Sequence, residues 1–389
     1  MAGRLQIEVV DNAPRFARLE HDWDALLRAS AAGHSYFMQW RWQVLWFEHL
    51  APRGSKLHVL LIRDPREELI GIAPLYLRPR KILGMVLSNS LFLLGTGARM
   101  HTSEQVGLLV SAGRESEVAD ILAKHLAGRS HWHRVWLWNV PDGLPWVSAL
   151  RKRLDCRIAV CDRSFYVRTD VPWNQVQSAW TRKFRENIER STRILKDRHE
   201  CLFSQVASQK ELQRLWPEFV RLHQLRWNRK GEPGSFSNPA FRTFLHDAMQ
   251  QALAAGQLRF WYCHSGDRVV ATLVAFVSNG TAYYFQGGFD PDFSKLSVGT
   301  AMVAHAIREC VSDPDIREFD FMGGDAVYKS SWTTQTRSAL QVEYFRANWI
   351  AITFSLARAL RPRLGRIKRW ILRIAKRAFA TAPIGTYLK

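Results

Sequence analysis

The chain has 389 residues, which is long enough for two domains with separate hydrophobic cores. Apolar residues make up 47% of it, among them 16 Trp and 21 Phe, and this composition excludes a disordered protein. The formal net charge is +20, and more than half of the excess lies after Glu343, where no acidic residue occurs.

The cysteines and the termini indicate the setting of the protein. The five cysteines are scattered and form no Cys-x-x-Cys pair, so we expect a reducing, cytoplasmic environment and neither a disulfide framework nor a structural zinc site. The N-terminal segment lacks the apolar core of a secretory signal. The longest apolar stretch near a terminus, residues 349–356, is too short to cross a bilayer.

The first half of the chain is predicted to combine helices with short strands, because apolar runs alternate with polar turns. The predicted elements are helices at 15–30, 40–50 and 115–127 and strands at 57–62, 69–77, 90–94, 105–110 and 134–140. One long, strongly basic helix without Pro or Gly in its interior is predicted next, over 173–200.

The second half contains the most informative pattern. Three strand-like runs with tight turns are followed by a loop of small residues, a helix and a final strand that ends in Gly323-Gly324-Asp325. The turn dipeptide Asn279-Gly280 is typical of a type I′ hairpin. The predicted elements are strands at 258–263, 269–277 and 281–287, the loop 288–299, a helix to about residue 310 and a strand at 317–322. Free N–H groups and the helix dipole at such a helix start predict an anion-binding site.

Four groups of residues carry a resemblance to a known family. They are Arg185-x-Asn187-Ile-x-Arg190-x-x-Arg193, Phe219-x-x-Leu222-His223-x-x-Arg226-Trp227, Gly287-Gly288-Phe289-Asp290-Pro291 with Ser297-x-Gly299, and Phe319-Asp320-Phe321-Met322-Gly323-Gly324-Asp325 with Tyr328-Lys329. Together they resemble the CelD-like acyltransferases, a bacterial group of the GNAT superfamily linked to cellulose and exopolysaccharide production. More distantly, they resemble the Fem-type transferases of peptidoglycan cross-bridges.

The resemblance implies an α+β fold with a mixed sheet, built as two tandem GNAT-like domains. We expect a degenerate domain at 1–168, an acyl-CoA-binding domain at 169–348 and a basic amphipathic tail at 349–389. The implied donor is an acyl-CoA, usually acetyl-CoA. The second domain is the expected donor site, because the first lacks the long loop of small residues. No set of metal ligands stands out in the sequence.

The predicted donor site lies at the start of the helix in the second half. Lys295, Ser297, Val298, Gly299 and Thr300 are expected to hold the CoA diphosphate. Backbone amides, the missing Cβ of Gly299 and the charge of Lys295 would all favour phosphates there. The loop departs from the usual Gln/Arg-x-x-Gly-x-Gly/Ala pattern of the superfamily. The alternative is an ordinary helix start with Ser297 as N-cap.

Four side chains are candidates for proton transfer. Tyr328 lies where GNAT enzymes often place a tyrosine, so the resemblance implies that it is the general acid for the departing thiolate. Asp320 and Asp325 bracket the end of the last strand and are candidates for the base or for orienting the amine. His223 titrates in the range that a base needs. The alternatives are a packing role for Tyr328, a place on the polar face of a strand for Asp320 and a structural role for His223.

The expected substrate-binding residues are Arg185, Arg226, Trp227, Asp290 and Lys329. The face of the helix that carries Arg185 is suited to a phosphorylated substrate or to the CoA 3′-phosphate, and a solvated charged face is the alternative. Trp227 is expected to wall an acyl or sugar pocket, unless it is a core tryptophan.

The tail at 349–389 alternates cations with apolar residues at roughly helical spacing, which is typical of a helix on an anionic membrane surface. A solvated basic tail is one alternative, and contact with nucleic acid is the least favoured.

These predictions favour an acyl-CoA-dependent N-acyltransferase, cytoplasmic or peripheral at the inner membrane. Its acceptor would be an amine-bearing sugar, an envelope or exopolysaccharide precursor, or a small molecule. One alternative is a Fem-like aminoacyl-tRNA-dependent transferase. Another is a non-catalytic GNAT-like accessory protein of polysaccharide synthesis.

Overall fold

The structure is a computed structural model that describes residues 4–30, 35–82, 85–98, 102–128, 131–324 and 327–346. Asp325 and the predicted tail at 349–389 lie outside the described residues. Within the described ranges, no helix combines the length and the apolar character needed to span a membrane.

Helices occur throughout both halves of the chain. The α-helices are α1 Ala13–Ala17, α2 Glu20–Ala29, α3 Trp40–Leu50, α4 Glu115–Ala127, α5 Pro145–Arg151, α6 Trp173–Ser178, α7 Arg182–His199, α8 Gln209–Asn228, α9 Pro239–Ala254 and α10 Val298–Ser312. Short 3₁₀ helices lie at Tyr36–Met38, Ser235–Ser237, Pro291–Leu296 and Val327–Ser331.

The strands alternate with these helices. They are β1 Gln6–Val10, β2 Lys56–Leu57, β3 Val59–Arg63, β4 Leu69–Ala73, β5 Leu75–Ile82, β6 Met85–Leu93, β7 Leu109–Val110, β8 Arg134–Pro141, β9 Arg157–Arg168, β10 Cys201–Gln205, β11 Leu258–Ser265, β12 Arg268–Ser278, β13 Thr281–Phe289, β14 Glu318–Gly323 and β15 Thr336–Phe345.

One sheet of eleven strands runs through both halves, in the order β10-β11-β12-β13-β14-β9-β15-β8-β6-β5-β2. A second sheet of four strands, β1-β3-β4-β7, belongs to the first half. The final strands of the two halves are exchanged, because β9 pairs with β14 of the second half and β15 pairs with β8 of the first. β9 and β15 also pair with each other. Each half therefore completes the sheet of the other.

The same crossover occurs in both halves. In the second half, β13 leads through α10 to β14, its parallel neighbour. In the first half, β6 leads through β7 and α4 to β8, also a parallel neighbour. Each of these pairs is joined at three positions only, so the two strands diverge beyond them. The predicted α+β class and the tandem plan are thus confirmed.

The meander of the second half follows the sequence prediction closely. β11, β12 and β13 form consecutive antiparallel hairpins. Asn279 and Gly280 both have positive φ, 50° and 77°, as a type I′ turn requires. β13 carries one extra residue, Phe285, where its register with β12 shifts.

The prediction of one continuous helix over 173–200 is wrong. Two helices, α6 and α7, occupy this segment, and the side chain of Thr181 between them caps α7. Trp180 is buried, and its indole N–H donates to the backbone oxygen of Trp332 at 3.0 Å. The chain therefore breaks where an aromatic anchor and an N-cap follow one another.

Several elements of the first half also differ from prediction. The strands predicted at 57–62 and 69–77 are each interrupted, at His58 and at Pro74. Pro74 has no N–H to give to a strand ladder. The strand predicted at 105–110 is limited to β7, and the first predicted helix is divided into α1 and α2. The sequence analysis did not identify β9, β10 or β15.

Helices cover both faces of the sheet in the second half. α8 and α9 pack on one face, where Phe219 and Phe244 share a core with the even-numbered residues of β11, such as Phe260. α7 and α10 pack on the other face, where Ile307 joins Trp261 of the same strand. Successive strand residues point to opposite faces, which separates the two cores.

Candidate active site

A cleft of about 340 Å³ opens where β13 and β14 diverge. The two strands pair from Thr281 to Tyr283 of β13, and the described residues form no ladder between them beyond that point. Tyr284, Gly287 and Gly288 of β13 line the cleft together with the start of α10. The divergence leaves backbone N–H and C=O groups on this edge of β13 available to a ligand.

The N-terminus of α10 forms one end of the cleft. Ser297, with φ 53° and ψ 35°, turns the chain from the preceding 3₁₀ helix into α10, and its side chain makes no capping hydrogen bond. The amides of Val298 and Gly299 belong to the first turn and therefore have no intrahelical acceptor. Together with the helix dipole, they favour an anion at this position.

The polar side chains that line the cleft include Arg226, Tyr284 and Tyr328, which lie close enough to influence one another's charge. Burial raises the pKa of Tyr328, the neighbouring Tyr284 raises it further, and the charge of Arg226 opposes both effects. Burial likewise raises the pKa of Tyr284. Although 43% of the surface of Tyr328 is exposed, its phenol remains protonated at neutral pH, as a proton donor must be.

Aromatic rings form the wall of the cleft beside α7. Phe184 and Trp332 line the cleft and contact each other edge to face, with ring centroids 5.0 Å apart. Trp180 packs against Trp332 at 5.2 Å, and Phe321 lies 6.4 Å from the ring of Tyr284. This wall is suited to an uncharged, flexible chain rather than to a phosphate.

The structure places six of the predicted site residues in the lining of the cleft, namely Arg226, Ser297, Val298, Gly299, Thr300 and Tyr328. Lys295 is exposed and lies outside the lining. A Cβ on Gly299 would lie 3.0 Å from Cδ1 of Phe289. The packing of that ring is therefore a second reason for glycine at this position, beside the approach of a ligand.

His223 lies in the core and not in the lining of the cleft. Its side chain on α8 is fully buried, and Nδ1 is 3.3 Å from Oε1 of Gln224. The ring packs edge to face on Phe236, with centroids 4.7 Å apart. Burial lowers the pKa of His223 to about 4. The structure thus agrees with the alternative of a structural histidine.

We expect the protein to lose stability as the pH falls from about 7 to about 5. The folded-state pKa of His223, about 4, lies below its ordinary value of 6.5 because burial disfavours the charged imidazole. A group of this kind stabilises the folded protein fully at pH values above its pKa in the unfolded state. This contribution is lost as the pH falls toward its pKa in the folded state. Urea denaturation at the two pH values should give a loss of about 2 kcal/mol from this residue.

The His223→Gln variant should show a correspondingly weaker dependence of unfolding free energy on pH. His21→Gln is the matched control, since the side chain of His21 is 92% exposed, and it should follow the wild type. An unchanged pH dependence in His223→Gln would contradict this interpretation.

Asp320 and Lys329 hold the end of β14. The carboxylate of Asp320 is fully buried and accepts from the amide of Gln105 at 2.9 Å and from the backbone N–H of Met322 at 2.7 Å. Burial raises the pKa of Asp320. The buried Lys329 Nζ donates to the backbone oxygens of Met322 at 2.9 Å and Gly323 at 2.6 Å. Neither residue lines the cleft.

The remaining predicted substrate residues also lie outside the cleft lining. Arg185 and Trp227 are partly buried on α7 and α8. The buried carboxylate of Asp290 pairs with Arg268 at 2.7 Å and accepts from the backbone N–H of Asp292 at 3.1 Å, so it closes the turn after β13. In the described part of the chain, no group of three or more His, Cys, Asp or Glu side chains is arranged to hold a metal ion.

Sequence reasoning missed the wall and floor of the cleft. Phe184 immediately precedes Arg185 of the first family motif, and Tyr284 lies within a predicted strand, so local signals existed for both. Trp332 follows the last motif and carries no signal in the sequence. Its place in the cleft depends on the packing of α7 against α10.

Comparisons with known proteins agree with this architecture. Residues 182–330 match the sequence model of a family described as "Acetyltransferase (GNAT) domain". The structure is similar to that of FemX, with a TM-score of 0.61 and 10% identity over 87% of this chain and 97% of that chain. No curated protein matches the sequence.

Two further solved structures share the fold. The C-terminal domain of a putative lysylphosphatidylglycerol synthetase from Agrobacterium fabrum has a TM-score of 0.51 and 9% identity over 89% of this chain and 96% of that chain. L-PGS from Bacillus licheniformis has a TM-score of 0.50 and 10% identity over 87% of this chain and 96% of that chain. At such identities the similarity establishes the fold alone.

The fold and the matched segment define the class of protein. The chain has a GNAT-type acyltransferase fold in a tandem arrangement, and its second half contains a GNAT acetyltransferase domain. This domain, which usually binds an acyl-CoA, supports a transferase activity.

Proposed function

We propose that this protein transfers an acyl group from an acyl-CoA, acetyl-CoA in the first instance, to an amine. The observation that carries the proposal is the open cleft between β13 and β14, at whose end α10 begins with free amides. A nucleotide thioester needs such a site, with an anion-binding end for its diphosphate and an uncharged slot for its pantetheine arm.

Each part of the cleft has a role in this proposal. The amides of Val298 and Gly299, with Arg226 nearby, bind the diphosphate. The exposed edge of β13 hydrogen-bonds the amide groups of the pantetheine arm. Tyr328, whose phenol stays protonated because burial raises its pKa, gives its proton to the departing thiolate.

The acceptor in this proposal is an amine-bearing sugar, an envelope or exopolysaccharide precursor, or a small molecule, as the resemblance to CelD-like enzymes implies. The protein would act in the cytoplasm or at the inner membrane surface. The basic tail at 349–389 would provide the contact with anionic lipid.

A second candidate is an aminoacyl-tRNA-dependent transferase. The similarity in fold to FemX and to the lysylphosphatidylglycerol synthetase domain favours it. The exposed cations of α7 would suit a polyanionic donor. Thermal unfolding with acetyl-CoA, CoA or charged tRNA separates the candidates, because a ligand stabilises only the protein that binds it. A rise in Tm with acetyl-CoA and not with tRNA supports the first candidate, and the reverse supports the second.

We expect Arg226→Ala to weaken acetyl-CoA binding about tenfold, the usual order for a lost charge-assisted hydrogen bond. Arg226 lines the cleft, and its guanidinium lies 5.6 Å from the centroid of the Phe289 ring. Titration calorimetry would measure the change in Kd. Arg214→Ala, an exposed position on the same helix, is the control and should bind like the wild type. Equal Kd values for both variants would remove Arg226 from the donor site.

A further inference from the structure

The two faces of β14 lead to different parts of the molecule. Phe319 and Phe321 point toward α10 and belong to the core beneath the cleft. Asp320 and Met322 point to the opposite face, and Met322 belongs to the other core. β14 therefore has one side on the core beneath the proposed donor cleft, and its far side faces the first half of the chain.

A second cavity, of about 380 Å³, lies on that far side. Both halves line it, since Glu104 and Asn139 come from the first half and Gly323 and Arg337 from the second. Asp162 of the exchanged strand β9 completes the lining near Gly323. The cavity exists only because the halves share one sheet, and it reaches the open end of β14.

Two carboxylates hold the end of β14 from this cavity. Oε2 of Glu104 accepts from the backbone N–H of Gly323 at 2.6 Å, and Oδ1 of Asp162 accepts from that of Gly324 at 3.1 Å. A Cβ on Gly323 would lie 2.3 Å from Oδ2 of Asp162 and 3.1 Å from Oε1 of Glu104. Both carboxylates thus lie directly against the end of β14, the strand from which β13 diverges at the donor cleft.

The charges around Glu104 favour its uptake of a proton. Burial raises the pKa of Glu104 to about 8, Asp320 and Asp162 raise it, and the Gly323 amide and Lys329 oppose them. On the same face, Arg337 pairs with Glu318 and lies 3.7 Å from Asp320. The carboxylate form of such a group is a stronger base than an ordinary glutamate and can accept a proton from an ammonium group at a pH near 8.

We propose that Glu104, supplied by the first half, is the general base of the acyl transfer carried out in the second half, and that the acceptor entering this cavity is a protonated primary amine. Asp162 is a positioning residue that holds the ammonium group beside Glu104. This inference rests on the proposed acyl-CoA donor and adds the acceptor side of the reaction to it.

The ammonium group gives one proton to Glu104 and becomes a neutral amine. Its lone pair forms a C–N bond to the thioester carbonyl carbon, and the C–S bond breaks. Tyr328 protonates the thiolate that leaves. The nitrogen releases a second proton as the amide forms, and this proton returns to the Tyr328 phenolate through solvent. The products are an N-acylated amine and free CoA, with Glu104 protonated until it returns its proton to solvent.

The test compares two small acceptors with acetyl-CoA as donor, and release of the CoA thiol is followed. Methylamine is protonated at neutral pH and needs a base, whereas hydroxylamine is already uncharged there. Glu104→Gln keeps an oxygen that can accept from Gly323 and should lower kcat with methylamine about 100-fold. The rate with hydroxylamine should change by less than about threefold, and raising the pH should restore part of the methylamine rate.

The matched control is Glu68→Gln, which makes the same exchange at an exposed residue of the turn between β3 and β4. Glu68 lines neither the cleft nor the second cavity, so this variant should keep both rates. Titration of acetyl-CoA into each variant separates the proposed acyl-CoA-dependent function from the proposed role of Glu104. If acetyl-CoA binds no variant, the proposed function fails. If acetyl-CoA binds all of them, three results would overturn the role of Glu104. Glu104→Gln could lose both rates equally, it could lose neither rate, or the wild type could acylate neither amine.

Discussion

Replacing Tyr328 by Phe is expected to lower kcat by a factor of about 100 to 10,000 while acetyl-CoA binding is retained. The phenol lies in the cleft beside Arg226 and Tyr284, and burial keeps it protonated. Without its proton, the thiolate must leave as an anion beside the aromatic wall of the cleft. Phe preserves the ring and its packing, so Kd for acetyl-CoA should change little.

The control for this prediction is Tyr344→Phe, a partly buried tyrosine on β15 that lies outside the cleft lining. It should leave kcat unchanged. Because the pKa of Tyr328 lies above its ordinary value of 10.0, the wild-type rate should show no decline from this group below about pH 10. Equal kcat for Tyr328→Phe and the wild type would contradict the proposed general acid.

Replacing Gly288 by Ala is expected to destabilise the protein by about 3 kcal/mol, the upper end of the range for overpacked cores. A Cβ at this position would lie 2.4 Å from the backbone N of His223 and 2.6 Å from the carbonyl carbon of Leu222. Both atoms belong to the backbone of α8, so a side-chain rotation cannot relieve the clash. Urea denaturation would measure the loss.

Gly299→Ala is the matched control, because it also adds one methyl group to the cleft lining. Its nearest neighbour is the ring of Phe289, at 3.0 Å, and a small ring rotation can make room. Alanine also favours the helix by about 1 kcal/mol over glycine. The free energy of unfolding should therefore change by less than about 1 kcal/mol. A loss as large as that of Gly288→Ala would show that the two sites are equally rigid.

The sequence predicted the second half better than the first, for a physical reason. β11 to β13 are joined by tight turns, so turn residues such as Asn279 and Gly280 fix their pairing locally. The exchanged strands β9 and β15 pair with partners far away in the chain. Their alternation is weak, as the mixed burial of β9 shows. Local patterns could not reveal them.

The same difference between local and long-range signals applies to the residues of the candidate site. Ser297, Val298, Gly299 and Thr300 were predicted because one short segment contains the whole helix start. Residues that reach the same region from elsewhere, such as Phe184 and Trp332, depend on how α7 packs against α10. Glu104 depends on the exchange of strands between halves, so no motif in its own segment could reveal it.

The central claim is that the cleft between β13 and β14 binds an acyl-CoA, and a crystal structure of the complex with acetyl-CoA tests it most directly. We predict diphosphate oxygens about 3 Å from the amides of Val298 and Gly299, and the thioester between β13 and β14 beside Tyr328. Acetyl-CoA bound elsewhere, or crystals grown with saturating acetyl-CoA that show an empty cleft, would contradict the account.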